Sequence, residues 1–208
     1  MKKIQNVTLT INDREVTAKD GMTILEAAND AGIYIPTLCY HEKLAPYGAC
    51  RICTVELSRN GRSRLVTSCV YTVENGLIVK TESPKVIKVR KLLLELMLAS
   101  SPAKAIQDLA RQHGIEKRRF ESEKTNCILC GLCVRYCSEV KQANAIGFVG
   151  RGTERRVVFH PEIASTVCAS CRECFSLCPT GKLPSETDGV CFDDLTLDDF
   201  LKTQQSPA

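Results

Sequence analysis

Cys127-Ile-Leu-Cys130-Gly-Leu-Cys133-Val-Arg-Tyr-Cys137 returns further along the chain as Cys168-Ala-Ser-Cys171-Arg-Glu-Cys174-Phe-Ser-Leu-Cys178-Pro179, with cysteines separated each time by two, two and three residues. Three thiolates on so short a loop converge on one site. This run binds iron–sulfur cubes, and the fourth thiolate comes from the other copy. Two copies therefore predict two [4Fe-4S] clusters with crossed ligands. Cys127, Cys130, Cys133 and Cys178 serve the first, and Cys168, Cys171, Cys174 and Cys137 the second. Such crossing clamps the two ends of a domain together. Structural zinc would use pairs of two-residue-spaced cysteines with a longer gap between pairs. A secreted disulfide framework fits no better, because cysteines this close in sequence are poorly placed to pair.

The remaining composition points the same way. Of thirteen cysteines in 208 residues, twelve fall into three tight groups and only Cys191 is left over. That distribution favours metal binding over disulfides. The start, Met1-Lys2-Lys3-Ile4-Gln5-Asn6, turns polar before any apolar signal core, and the longest apolar stretch, Leu92 to Ala99, is broken by Glu95. A cytoplasmic protein without membrane insertion is expected. The formal charge of +4 counts cysteines as neutral. An oxidised cluster core carries about two positive charges against four thiolates, so three clusters bring the holoprotein to roughly −2. Net charge thus gives no case for nucleic acid. Lys117-Arg118-Arg119 and Arg155-Arg156 remain as local basic patches, read as solvated faces or partner-docking sites.

From the amino terminus, Val7 to Ile11 alternates apolar and polar residues, Asn12-Asp13 makes a turn and Glu15 to Ala18 can return, which predicts a hairpin. A helix should follow, with Thr23 and Glu26 at capping-box spacing, Ile24, Leu25, Ala27 and Ala28 on its apolar side, and Gly32 at its end. Hairpin then helix suggests a β-grasp ferredoxin. Cys39, Cys50, Cys53 and Cys69 follow at gaps of ten, two and fifteen, with strand-like Thr54–Leu57 and Arg64–Thr67 before the last. Four cysteines on a loop-rich β scaffold suit one [2Fe-2S] cluster, although the plant-type pattern has four residues in its first gap. Gly48 would let backbone approach that cluster. His41 could replace a cysteine, but all four cysteines are present, so it is read as a supporting or surface histidine.

Ser83-Pro84 starts a helix in which Val86, Val89, Leu93, Leu96 and Met97 recur at helical spacing through Ser100. Ser101-Pro102 restarts the pattern with Ile106, Leu109 and Ala110, and Gly114 is the stop. Packing of this connection through Leu93, Leu96, Ile106 and Leu109 is expected. Between the cysteine runs, Ala145–Val149 and Arg156–Phe159 bracket Gly150-Arg-Gly152 as a hairpin. The fold class expected is α+β: a β-grasp [2Fe-2S] domain over 1–82, a helical connector over 83–120, a two-cluster [4Fe-4S] ferredoxin-like domain over 121–185 and an acidic tail over 186–208. Within that tail Asp193, Asp194, Asp198 and Asp199 interleave with Leu195, Leu197, Phe200 and Leu201, as in a docking helix or a frayed end. Cys191 is read as a spectator thiol.

With these groups placed, Gly48-Ala-Cys50-Arg51-Ile-Cys53-Thr-Val-Glu56 and the double run resemble the iron–sulfur subunit of NAD-linked bidirectional hydrogenases. They are similar also to the amino-terminal part of the large iron–sulfur subunit of NADH:quinone oxidoreductase and of iron-only hydrogenases. The similarity covers about residues 5 to 185. One departure stands out, because that family carries a further [4Fe-4S] site between these domains, bound by one His and three Cys. No cysteine lies between Cys69 and Cys127. Ile106-Gln-Asp-Leu-Ala110, Gly114-Ile115 and Arg119-Phe120 look like the family's sequence just after those ligands, so the flank is kept and the ligands are gone. His113 alone cannot hold a cluster.

The sequence offers no place for substrate chemistry. Gly147, Gly150 and Gly152 do not form a dinucleotide fingerprint and no phosphate loop is present, so neither flavin nor nucleotide is expected on this chain. The cysteine motifs that the resemblance would require for a hydrogen-activating iron centre are missing as well. The expected role is a non-catalytic electron-transfer subunit of an oxidoreductase. Its expected partners are a flavoprotein that oxidises or reduces NAD(P) and a catalytic subunit of hydrogenase or formate dehydrogenase type. Two other readings are a subunit of a flavin-based bifurcating or low-potential reductase complex, and a stand-alone iron–sulfur redox sensor. A sensor would need an effector module, and none is visible.

Overall fold

The computed structural model describes residues 6–122, 125–168 and 170–183. Cys191 and the acidic tail lie outside them. The chain divides into two compact units, one drawn from Met1–Tyr40, Pro46–Leu96 and Leu109–Phe120, the other from His41–Ala45, Met97–Asp108 and Glu121–Ala208. Residues 83–120, expected as a connector, are shared between the two.

The first unit is built on strands β1 (Asn6–Ile11), β2 (Arg14–Lys19), β3 (Thr54–Arg59), β4 (Arg62–Thr67) and β5 (Ile78–Lys80), in the sheet order β2-β1-β5-β3-β4. Alternation drives β1: Val7, Leu9 and Ile11 point to one face and are buried, whereas Asn6 and Thr8 are exposed. Its hairpin with β2 sets Ile11 opposite Arg14, and the turn residues Asn12 and Asp13 take left-handed backbone, a conformation in which these residue types are enriched. Helix α1 (Ile24–Asp30) starts at the expected capping box, with the Glu26 amide donating to Thr23 Oγ1 at 3.2 Å and the Thr23 amide donating to Glu26 Oε2 at 2.7 Å. Gly32, at φ +70°, ends it, as glycine just beyond a helix does. Ile24, Leu25, Ala27 and Ala28 close the sheet's core with Val55, Leu57, Leu77 and Val79. Each large apolar side chain so buried contributes about 1.5–3 kcal/mol.

β5 carries no sequence expectation, yet it is central. It runs parallel to β1 and antiparallel to β3. Three residues are too few to show a period, and its place is held by neighbours on both sides.

Helix α2 (Pro84–Ser100) has the expected bounds but a different buried stripe. Val86, Arg90, Leu94 and Leu98 are buried at four-residue intervals, Leu93 is half-buried and Leu96 is 46% exposed. The expected stripe skipped position 90 because arginine is almost never fully buried without a partner. Including it moves the inward face round to Leu94.

In the second unit, α3 (Lys104–Gln112) begins and buries Ile106 completely. Helix α4 (Leu132–Arg135) passes directly into a π-helical turn over Tyr136–Val140. Strands β6 (Ile146–Val149) and β7 (Arg156–Phe159) form the expected antiparallel hairpin, with Ile146 opposite Phe159. Helix α5 (Pro161–Val167) follows with Pro at its start and delivers the chain to Cys168. No helix among the described residues is long and apolar enough to cross a membrane.

The corrected stripe sets an expectation. Leu94→Ala should cost about 2–5 kcal/mol, as buried leucine truncations do, and Leu96→Ala no more than about 0.5 kcal/mol. Denaturant unfolding of the cluster-loaded protein measures both, and equal losses would put the stripe back on Leu96.

Candidate metal centres

The β3–β4 hairpin assembles half of the first site. Its register sets Thr54 opposite Thr67, so Cys53 and Cys69 sit at the same end of the ribbon. Ser68 ties them, its amide and hydroxyl both donating to the Cys53 carbonyl, at 3.2 and 2.8 Å. The two sulfurs are 3.3 Å apart. A proton shared between them holds Cys53 down to about 7 and pushes Cys69 up. Cys39 and Cys50 make a second pair, with the Cys50 amide donating to Cys39 Sγ at 3.3 Å. The hydrogen bond with Cys39, then burial, raises the Cys50 thiol. All four side chains are buried. Two pairs of thiols suit a two-iron centre, in which each iron takes one pair. Among the described residues no three His, Cys, Asp or Glu side chains close around a single metal ion.

Gly48 stands where backbone must pass close to the hairpin. Its φ is +69°, and a Cβ there would lie 2.9 Å from Val70 Cγ2. Arg51, between Cys50 and Cys53, also takes left-handed backbone at φ 60°. Non-glycine residues pay of order 1–3 kcal/mol for such geometry, which persists where surroundings impose it.

The double run folds into two further sites. Cys127, Cys130, Cys133 and Cys178 line one cavity, together with Gly131 and Lys182. Cys137, Cys168, Cys171 and Cys174 line another, with Tyr136, Lys141 and Phe175. Cys133 is carried on α4, Cys137 on the π-helical turn, and Cys174 on a 3₁₀ turn over Glu173–Phe175. Burial pushes the Cys168 thiol up to about 11 and the Cys174 thiol to about 12. Burial raises Cys133 as well, and nearby Cys130, Cys174, Cys127 and Cys178 add to it. Amides already point at sulfur here, with Leu129 donating to Cys127 at 3.4 Å and Ala145 to Cys137 at 3.2 Å.

Residues that sequence reasoning passed over hold these loops. Leu129 and Arg172, each inside a two-residue cysteine gap, have left-handed backbone at φ 51° and 45°. Arg135 is buried, donates to the Ala45 carbonyl and pairs with Glu139 at 3.0 Å, while Glu139 accepts from the Ala45 amide at 2.9 Å. The Tyr136 hydroxyl donates to Glu173 at 3.0 Å, and Lys141 pairs with the same carboxylate. His41 packs edge-on against Tyr136 at 5.9 Å between ring centroids.

The family described as a 2Fe-2S iron–sulfur cluster binding domain matches residues 5–84, and that described as a 4Fe-4S dicluster domain matches residues 126–182. NADPH-Fe(3+) oxidoreductase subunit alpha of Geobacter sulfurreducens is 34% identical over 86% of this chain and 24% of its own length. The mitochondrial 78 kDa subunit of NADH-ubiquinone oxidoreductase from Candida albicans is 30% identical over 89% of this chain and 29% of its own. The chain thus spans between 24% and 29% of the length of these relatives. A chain in the crystal structure of an NAD+-reducing [NiFe]-hydrogenase in the H2-reduced state is 32% identical with a TM-score of 0.66, and 74% of each chain is covered.

Gly48→Ala should lower both the thermal stability of the protein and its visible absorbance from bound iron and sulfide. Val70→Ala in the same chain should restore part of the loss, since it removes the close contact and leaves the strained φ. Thermal unfolding and absorbance spectra report this, and a Gly48→Ala protein with full absorbance and unchanged melting would refute the close approach.

Proposed function

Because this chain belongs to the family of iron–sulfur subunits of NAD(P)H-linked hydrogenases and oxidoreductases, we propose that it carries one [2Fe-2S] and two [4Fe-4S] clusters and relays single electrons inside such a complex. Cys39, Cys50, Cys53 and Cys69 are the ligands of the first. Cys127, Cys130, Cys133 and Cys178 hold the second, and Cys137, Cys168, Cys171 and Cys174 the third. The observation that carries this reading is that Cys178 lines a cavity with Cys127, Cys130 and Cys133, and Cys137 one with Cys168, Cys171 and Cys174. When bound, such clusters take up and release one electron at a time, and the protein sets their spacing and potential.

The chain's own residues do the rest. Burial raises the thiols of Cys133, Cys168 and Cys174, so iron would bind there with release of their protons. Amides of Cys50, Leu129 and Ala145 donate to sulfur, which stabilises added negative charge there. Cys127, Cys171 and Cys178 are only half-buried, so each four-cysteine site has an edge toward solvent or a partner. The partners proposed are a flavoprotein that exchanges hydride with NAD(P) and a catalytic subunit of hydrogenase or formate dehydrogenase type. The chain itself works without flavin or nucleotide, in the cytoplasm.

Cysteine substitutions followed by EPR test the ligand sets. Cys178→Ser and Cys127→Ser should perturb one [4Fe-4S] signal, Cys137→Ser and Cys168→Ser the other. Pairing of Cys178 with Cys168 would overturn the exchange. Iron should approach about ten atoms per chain in anaerobically reconstituted protein, and about fourteen would mean that the family's further cluster is bound after all. NADH or NADPH alone should leave the clusters oxidised, and addition of the cognate flavoprotein should reduce them.

A further inference from the structure

Arg90 is 1% exposed, on the inward face of α2. Its Nε donates to the Ile52 carbonyl at 3.1 Å, and its Nη2 donates to the carbonyls of Thr54 and Thr81 at 3.0 and 3.2 Å. Two of these acceptors flank Cys53. The third lies just beyond β5, so one guanidinium ties the cysteine loop to the middle of the sheet.

A buried guanidinium needs a counter-charge, and among the described residues no carboxylate pairs with Arg90. The groups that act on it at longer range are few. Glu82 is exposed to solvent, where its charge is screened, and Tyr34 is an exposed phenol. His113 is held neutral, by burial and then by Arg90 itself. Of these charges Glu82 acts most strongly and Cys53 next, and Cys53, bracketed by the Ile52 and Thr54 carbonyls that Arg90 holds, is one of the four ligands proposed for the first site.

We propose that Arg90 is a positioning residue whose charge balances the [2Fe-2S] cluster and raises its reduction potential. The inference rests on Cys39, Cys50, Cys53 and Cys69 being that cluster's ligands. Four thiolates around an oxidised [2Fe-2S] core, two ferric ions with two sulfides, carry about two net negative charges, and the one-electron-reduced form about three. A fixed cation in a low-dielectric interior stabilises the more negative form more. Carbonyl acceptors take three of the guanidinium's hydrogen bonds without cancelling its charge, which a carboxylate would do.

Two variants of the whole chain separate charge from hydrogen-bond geometry. Arg90→Gln removes the charge, and Arg90→Lys keeps it while losing the fork. The readout is the midpoint of the [2Fe-2S] EPR signal in a dithionite titration with mediators. Arg90→Gln should lower the reduced-to-oxidised ratio at a fixed potential about tenfold, a midpoint about 59 mV more negative for a one-electron couple. Arg90→Lys should stay near wild type. An unmoved Arg90→Gln midpoint, or equal shifts in both variants, overturns the proposal. If Arg90→Gln fails to retain the cluster, Arg90→Lys decides: a retained cluster at an unshifted midpoint supports the role of charge, whereas a shifted midpoint or a lost cluster assigns the residue to packing alone. A wild-type chain without a [2Fe-2S] signal would instead overturn the ligand assignment, and the proposal with it.

Discussion

Thiols that are to become thiolates resist being brought together, and the fold is organised around overcoming that resistance. Burial alone raises such a group, because the anion loses its hydration, and each neighbouring thiolate raises it further. Cys133 feels both, with four other cysteines contributing. Burial likewise holds the Cys168 and Cys174 thiols above their ordinary range. Exchange of protons for iron converts the repulsion into ligand bonds, so metal binding and folding are coupled free energies.

The two units meet this constraint with different means. In the first, the sheet and α1 enclose a continuous apolar core that takes in Cys53 and Cys69. The loop is then held by specific ties: Ser68 to Cys53, Gly48 against Val70, and Arg90 to both sides of Cys53. In the second, Leu132, Tyr136, Ala145, Ile146, Val157, Phe159, Ala164 and Leu183 are buried among the described residues, interleaved with buried Cys130, Cys133, Cys137, Cys168 and Cys174. Cysteines are part of the interior in both units. Loss of clusters would remove core as well as cofactor, which is why small metal-binding domains so often fold only with their metal.

This difference explains what could be read from residues alone. Cysteine spacing is a local code, written within each run. The first hairpin, the capping box at Thr23 and the stop at Gly114 are also local, each written within a few residues. β5 was illegible because its three residues are placed by β1 and β3. The left-handed backbone of Arg51, Leu129 and Arg172 was hidden as well, since nothing in those side chains asks for it and only the closure of each loop on its site does. Arg90 misled the reading most, as an apolar-periodicity argument treats a charged position as outward.

A helix stripe through Val86, Leu94 and Leu98 could place an apolar residue at position 90 with no loss of packing. Burial of a guanidinium there carries a desolvation cost, and three hydrogen bonds to carbonyls offset it only in part. In a protein with no anionic centre beside it, the position would be a weakness. Next to a centre that becomes more negative on reduction, as proposed for Cys39, Cys50, Cys53 and Cys69, the same cost would be offset in the state that carries the electron. The surroundings agree with this reading: His113 neutral, Glu82 out in solvent, and carbonyl dipoles rather than carboxylates at the donors. A carboxylate in contact would have made α2 easier to bury and left the cluster indifferent to it.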